Sequence, residues 1–326
     1  MDARDIDGAC AAGLDPIRAE AILTTSVYCK TSCGGDRPLP LAANLETMQS
    51  KHLNLLINCG AVLVGLIVVG YVAYSAIHTE VEQPCSSRYP APTRFSLQTG
   101  QGKPLSAIEL QARAGLRDLG VIDNAAVVRV EGGPSSEALE VKLRKLRGSD
   151  DASDTARNGI EFRWSPPGIA GATSACLSYS VWFPDKFAFG GGGVLPGVFG
   201  GVPATQKLPA ASDQLSITPQ WDYEGKPVLA ATVGGGDVRR MLGSETPLPT
   251  ERWIPVQQEV ILNAPGQANG VARLWIDGTL IVDDQGLQLR KDAKAVLAGV
   301  LVAAGYRRAP PEPGMLRFSP FEIAWR

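Results

Sequence analysis

The sequence predicts an antiparallel β-sandwich preceded by a single transmembrane α-helix. Three observations point there: an uncharged run from Leu53 to Ile77, a series of short β-branched runs from residue 125 onward, and 36 Gly with 24 Pro among 326 residues. Frequent turn residues with aromatics at only 6% favour many short strands over a helical bundle. A near-even charge balance, 31 Lys+Arg against 33 Asp+Glu, leaves no basic stripe for nucleic acid.

Residues 1–52 form an N-terminal segment too short to bury a core of its own. Within it Asp15 and Pro16 suit the cap and first position of a helix running through IRAEAILTTSVY, which Gly34, Gly35, Pro38 and Pro40 then break. Cys29 and Cys33 have no second pair or nearby histidine, so free thiols are expected there rather than a metal site.

Residues 53–77 are the membrane span. At about 1.5 Å rise per residue they cross a hydrocarbon core of about 30 Å, and the long preceding segment distinguishes them from a cleavable signal. Asn54 and Asn58 lie one helical turn apart, as do Ala61 and Gly65. Small and amide residues of this kind suit contact with other membrane protein subunits, or else plain anchoring in the lipid bilayer. Lys30, Arg37 and Lys51 before the span, with Glu80 and Glu82 after it, favour a cytoplasmic N-terminus, although Arg88 and Arg94 dilute the bias. The expected setting is a bacterial inner membrane crossed once, with a periplasmic C-terminal domain. Such a compartment allows a Cys85–Cys176 disulfide, which spacing alone does not pair.

Residues 78–124 read as a linker, rich in Pro, Ser, Gln and Gly up to about residue 103. A short helix follows, opened by the capping box Ser106 to Glu109 and stopped at Gly120. Residues 125–326 then carry about ten strand-like runs bounded by Gly, Pro, Asn or Asp. Leu177, Tyr179, Val181 and Phe183 alternate with Cys176, Ser178, Ser180 and Trp182, so one face of that strand belongs to a core. Asp277-Gly278 is a hairpin turn. The absence of βαβ alternation removes dinucleotide-binding folds, and Gly190 to Gly193 lack the Lys-Ser/Thr ending of a phosphate loop. No cofactor is expected. No Ser-His-Asp triad is available in the β region, because the two histidines are His52 and His78. The acidic pairs Asp150-Asp151 and Asp283-Asp284 are read as loop solvation rather than calcium ligands.

Three stretches carry a family likeness: SYSVWFPDKFAFGGGGVLPGVFGG at 178–201, QLSITPQW at 214–221, and VILNAPGQANGVARLWIDGTLIVDDQGLQLR at 260–290. Together they resemble the alginate-lyase-like jelly rolls of polysaccharide lyase family fourteen, over roughly residues 160–326. The resemblance implies a jelly-roll sandwich and a groove for β-elimination from a uronate. That reaction needs a cation or strong donors to neutralise the sugar carboxylate and a positioned base to take the neighbouring proton. The family supplies a Lys in its Gly-Gly-Lys-Leu-Pro-Gly run, an Arg in Ser-x-Arg and a Tyr-x-Tyr pair. Here Val194 stands at the Lys, Thr218 at the Arg, and KPVLAATV where the tyrosines belong, while Leu195, Pro196, Gly197, Ser216, Trp221, Asn263, Trp275, Asp277 and Gly278 are kept.

The expectation is therefore a lyase-like domain with no catalytic residues, serving as an accessory subunit of a larger membrane complex. Two alternatives accompany it. One is an acidic-polysaccharide-binding module using Trp221, Tyr223, Lys207 and Lys226. The other is an active lyase whose base and neutraliser have moved, with Tyr223, Lys186 or Lys207 serving.

Overall fold

The computed structural model describes residues 43–77, 82–115, 118–144, 158–202, 214–234, 237–308 and 312–326. The chain divides into two compact units, Met1–Thr79 and Glu80–Arg326. In the first, helix α1 runs from Ala43 to Ile77. It begins ahead of Leu53 because residues 43–52 contain neither Gly nor Pro and nothing stops propagation. Its stretch Leu55–Val72 has a mean hydropathy of 2.4 and is long and apolar enough to cross a membrane. The helix expected after Asp15, with Cys10, Cys29 and Cys33, lies outside the described residues.

The second unit is a sandwich of two antiparallel sheets, as the sequence predicts. The first sheet runs β13 (Thr279–Leu287), β12 (Gly270–Ile276), β11 (Trp253–Ile261), β5 (Ser174–Trp182), β15 (Gly314–Phe318), β3 (Glu137–Leu143), β2 (Ala125–Arg129). Next to β15, β5 also pairs with β16 (Glu322–Trp325), which pairs in turn with β1 (Thr93–Arg94). The second sheet runs β10 (Asp237–Leu242), β9 (Pro227–Val233), β8 (Gln214–Trp221), β6 (Gly193–Val194), β14 (Val296–Tyr306), β4 (Ile160–Trp164), with β7 (Gly197–Gly201) also joining β8 and β14.

Period-two alternation builds the core between the sheets. Leu177, Tyr179 and Val181 of β5 and Ile254, Val256 and Val260 of β11 point inward from one side. Leu215, Ile217 and Trp221 of β8 and Val302, Ala304 and Tyr306 of β14 point inward from the other. Each fully buried large apolar side chain contributes about 1.5–3 kcal/mol of transfer free energy. One buried amide joins the layers: Gln258 Oε1 accepts from Val198 N at 3.2 Å and its Nε2 donates to Ile217 O at 2.9 Å. Asp277 and Gly278 take φ of 54° and 76°, the left-handed pair that the β12–β13 hairpin turn demands.

The segment read as a linker is instead part of the sandwich. Thr93 and Arg94 pair with Ile323 and Glu322, Phe95 and Leu97 are buried in the core, and Cys85 is bonded to Cys176. The apolar residues here are too widely spaced to show a period, and partners such as Cys176, Phe321 and Ile323 lie far downstream, so composition alone suggests a linker. The capping box forms as expected, with Ser106 Oγ accepting from Glu109 N and Glu109 Oε2 accepting from Ser106 N at 2.8 Å. Helix α2 (Ala107–Ala114) ends there, however, because Gly115 already adopts φ 85° at its C-cap. Gly120, expected as the stop, instead caps the start of a second short helix, α3 (Val121–Asn124), at φ 72°.

Candidate functional site

The positions that the resemblance marks as chemical lie together on the outer face of the second sheet. On β8, Ser216, Thr218 and Gln220 alternate with the inward Leu215, Ile217 and Trp221. Val194 pairs with Gln220 on one side and Gly305 on the other. Thr218 pairs with Ala230, and Ser216 with Phe199 and Thr232. Around Val194 and Thr218 the outward-turned side chains are uncharged: Val194 is half-buried, and Thr218, Val228, Ala230 and Ala303 are buried. None of these side chains carries charge or transfers a proton near neutral pH.

The glycine-rich run before Val194 is shaped by close approach. A Cβ on Gly193 would stand 1.9 Å from Cζ2 of Trp221, and one on Gly197 would stand 2.2 Å from Ile217 O. Between them Leu195 turns into the core and its N donates to Pro219 O at 2.9 Å. Tyr179 Oη donates to Pro196 O at 2.9 Å, and burial holds its phenol well above the usual range.

Trp221, a stacking residue only in the alternative glycan-binding reading and otherwise a core aromatic, is fully buried and packs edge-on against Phe183, Phe187 and Tyr306. The strand period that turns Ser216 outward turns Trp221 inward, so it presents no face to a ligand. Lys226 is also spoken for: its Nζ lies 2.7 Å from both Glu224 and Glu245, whose hydrogen bonds hold the ammonium above its ordinary range. An acidic sugar would have to displace two carboxylates there. Lys207 lies outside the described residues. Tyr223 is 51% exposed in the β8–β9 turn, and its ring edge lies beside Gly192, where a Cβ would be 3.8 Å from Cε1.

Cations on or beside this face that the sequence did not single out include Arg163 of β4, which stands over the Phe199 ring at 5.3 Å, and two nearer Val194 and Thr218. Arg308 stands over the Tyr223 ring at 5.2 Å, held by its backbone N donating to Gly191 O at 3.1 Å. Arg240 is in register with Ala230, which is in register with Thr218, so an exposed guanidinium starts two strands, about 10 Å, from Thr218. Among the described residues it makes no ion pair. Neither was legible beforehand, because the first is positioned by a β14 extension and the second by an edge strand, β10, whose VRRML run lacks a strand-like pattern. In the helical unit, Asn58 and Ala61 are exposed, nothing comes within 4 Å of a Cβ on Gly65, and Asn54 lies on α1.

A family model described as Polysaccharide lyase 14 matches residues 133–217 and 244–306. Solved structures match the same body of the chain. The PL-14 alginate lyase from Aplysia kurodai is 20% identical over 68% of this chain and 96% of its own, with a TM-score of 0.57. The second unit has a polysaccharide-lyase-14-like fold. Alginate lyase vAL-1 from Chlorella virus is 14% identical over 72% of this chain and all of its own, at TM-score 0.55. A mutant of alginate lyase Aly36B in complex with an alginate trisaccharide is 16% identical at TM-score 0.52, covering 73% of this chain and 99% of that one. No curated protein sequence matches. The lyase-like domain includes the linker segment and β1 as well as the two stretches that the family model covers.

Proposed function

We propose that the lyase-like domain does not cleave polysaccharide and serves, on a single membrane span, as an accessory or structural part of a larger membrane protein assembly. The observation that carries this reading is that Val194, Thr218 and Ala230, neighbours across β6, β8 and β9, are uncharged and mostly buried where β-elimination needs a carboxylate neutraliser and a base. The apolar stretch Leu55–Val72 and the Cys85–Cys176 disulfide support a membrane-tethered domain in an oxidising compartment. The test is incubation of the purified full-length protein with alginate and glucuronan while following ultraviolet absorbance, since elimination leaves a conjugated unsaturated uronate. No increase is expected, and polypeptides are expected to co-purify with the protein from mild detergent. Turnover would overturn the reading, as would a lone monomer in detergent.

A divergent lyase is the second reading, favoured by the Arg308–Tyr223 pair beside Gly192 and by the unpaired Arg240. In that case the Tyr223 oxygen takes the proton next to the carboxylate, a guanidinium meets that carboxylate, and the glycosidic C–O bond breaks to form the C=C bond while the leaving oxygen takes up a proton. The same assay then shows activity, and Tyr223→Phe lowers kcat about 100-fold or more with little change in KM.

A further inference from the structure

The outer face of the first sheet carries a different constellation, on the side of the sandwich away from Val194 and Thr218. Two adjoining cavities of about 250 and 320 Å³ open there and share Arg94, Pro134, Ser135 and Pro320 as a common wall. They arise from a break in strand pairing. β5 is bonded to β15 at Val181 and Trp182 and to β16 from Ser178 to Ala175; between them Ser319 N still donates to Ser180 O at 2.9 Å and Ser319 Oγ accepts from Ser180 N at 2.8 Å, so the ladder is interrupted only at Pro320. Proline has no N–H to continue it.

The lining mixes hydroxyl and amide groups, among them Ser135, Ser180 and Gln257, with the apolar Pro134, Pro255 and Pro320. Ser180 is only 9% exposed, yet its hydroxyl has no partner among the described residues. Gln257 accepts from Ser86 N at 3.1 Å, which leaves its amide hydrogens without a partner among the described residues. Arg94 and Glu322 face each other at 3.8 Å with side chains 50% and 41% exposed. A pair so loose and so wet contributes little to stability and keeps its charged atoms available to a ligand. Glu137, in the adjoining cavity, is already satisfied by Gln98 and Ser136. Charge in the cleft is thus balanced or slightly negative, which disfavours an acidic ligand. One step of the two-residue strand period further along the same face, about 7 Å away, Trp253 and Trp182 stand in register, and Arg317 lies over Trp182 at 5.0 Å.

A cleft of mixed hydroxyl, amide and apolar groups with nearly balanced charge, on the face that also carries the half-buried Trp182 and Trp253, matches a chain that is rich in hydroxyls, uncharged, and apolar on its ring faces. We infer that this cleft binds a neutral polysaccharide, independently of whatever the second sheet does. The test uses the full-length protein in nanodiscs, titrated with cellohexaose, laminarihexaose, xylohexaose and an alginate hexamer by thermophoresis. At least one neutral hexasaccharide binds, and the alginate hexamer binds at least about tenfold more weakly. The double variant Arg94→Ala, Glu322→Ala weakens the neutral sugar about tenfold, whereas Leu242→Ala, an exposed position on the second sheet, leaves it unchanged. A thermal unfolding midpoint at the parental value shows that the double variant is folded, and if it is not, Gln257→Ala provides the same comparison. Absence of binding by all three neutral sugars, equal or tighter binding of alginate, or indifference to the folded cleft variant would each overturn the inference.

Discussion

Gly193 illustrates how one missing methyl group positions the residues around it. Its Cα lies against the indole of Trp221, which fills the space under Val194 and packs among Phe183, Phe187 and Tyr306. Gly193→Ala forces the ring or the strand to move, and a loss of about 1–3 kcal/mol in denaturant unfolding is expected. Tyr306 gives a second residue-scale prediction. Burial pushes its phenol up to about 12, against 10.0 for an unperturbed tyrosine, and its Oη has no partner among the described residues. The unfolded chain gives up this proton first, so this group leaves stability unchanged below about pH 10 and lowers it between about pH 10 and 12. Tyr306→Phe, followed by chemical denaturation at pH 8 and 11, should reduce that alkaline loss while changing the pH 8 value little.

At the scale of elements, the segment Glu82–Tyr89 is clasped to the outer face of the first sheet. The Cys85–Cys176 bond closes a separation of 91 residues. Glu259, 2% exposed, accepts from Arg88 at 2.7 Å and Arg273 at 3.0 Å, and Trp275 Nε1 donates to Glu82 O at 2.9 Å. Cross-linking over so long a loop lowers the entropy of the unfolded chain, and reduction or Cys85→Ala is expected to cost about 2–4 kcal/mol, read by equilibrium unfolding with and without reductant. Much of the architecture was legible in the sequence. The alternation in β5, the Asp277-Gly278 hairpin and the Ser106–Glu109 capping box all stand as local patterns, because neighbouring residues satisfy them. The clasp, β1 and the short strands β6 and β7 were not legible. Their partners are distant in sequence, and in β6 and β7 the glycines that permit close approach also erase the β-branched signature. The candidate site was legible as positions through the family likeness, whereas its inward Trp221 and its neighbours Arg240 and Arg308 depend on register and on strand extensions.

On the scale of the whole chain, the apolar helix and the lyase-like domain divide the molecule into two units of opposite solvent preference. Leu55–Val72 shows no burial against other described residues, so lipid or partner helices must cover it if the chain is to remain dispersed. Full-length protein is expected to resist carbonate extraction from membranes, and a chain lacking residues 53–77 to be released by it. The pairing of β1 with β16 sets a further condition. Thr93 and Phe95 find their backbone partners at Ile323 and Phe321, and Arg326 Nη2 donates to Arg88 O. A ribosome delivers residue 93 long before residue 323, so this seam stays open until the final strand emerges. The first-made part of the sandwich therefore lacks its last partner strand through the rest of synthesis, and a chain stopped short of residue 321 would leave Thr93 and Phe95 without the backbone groups they bond.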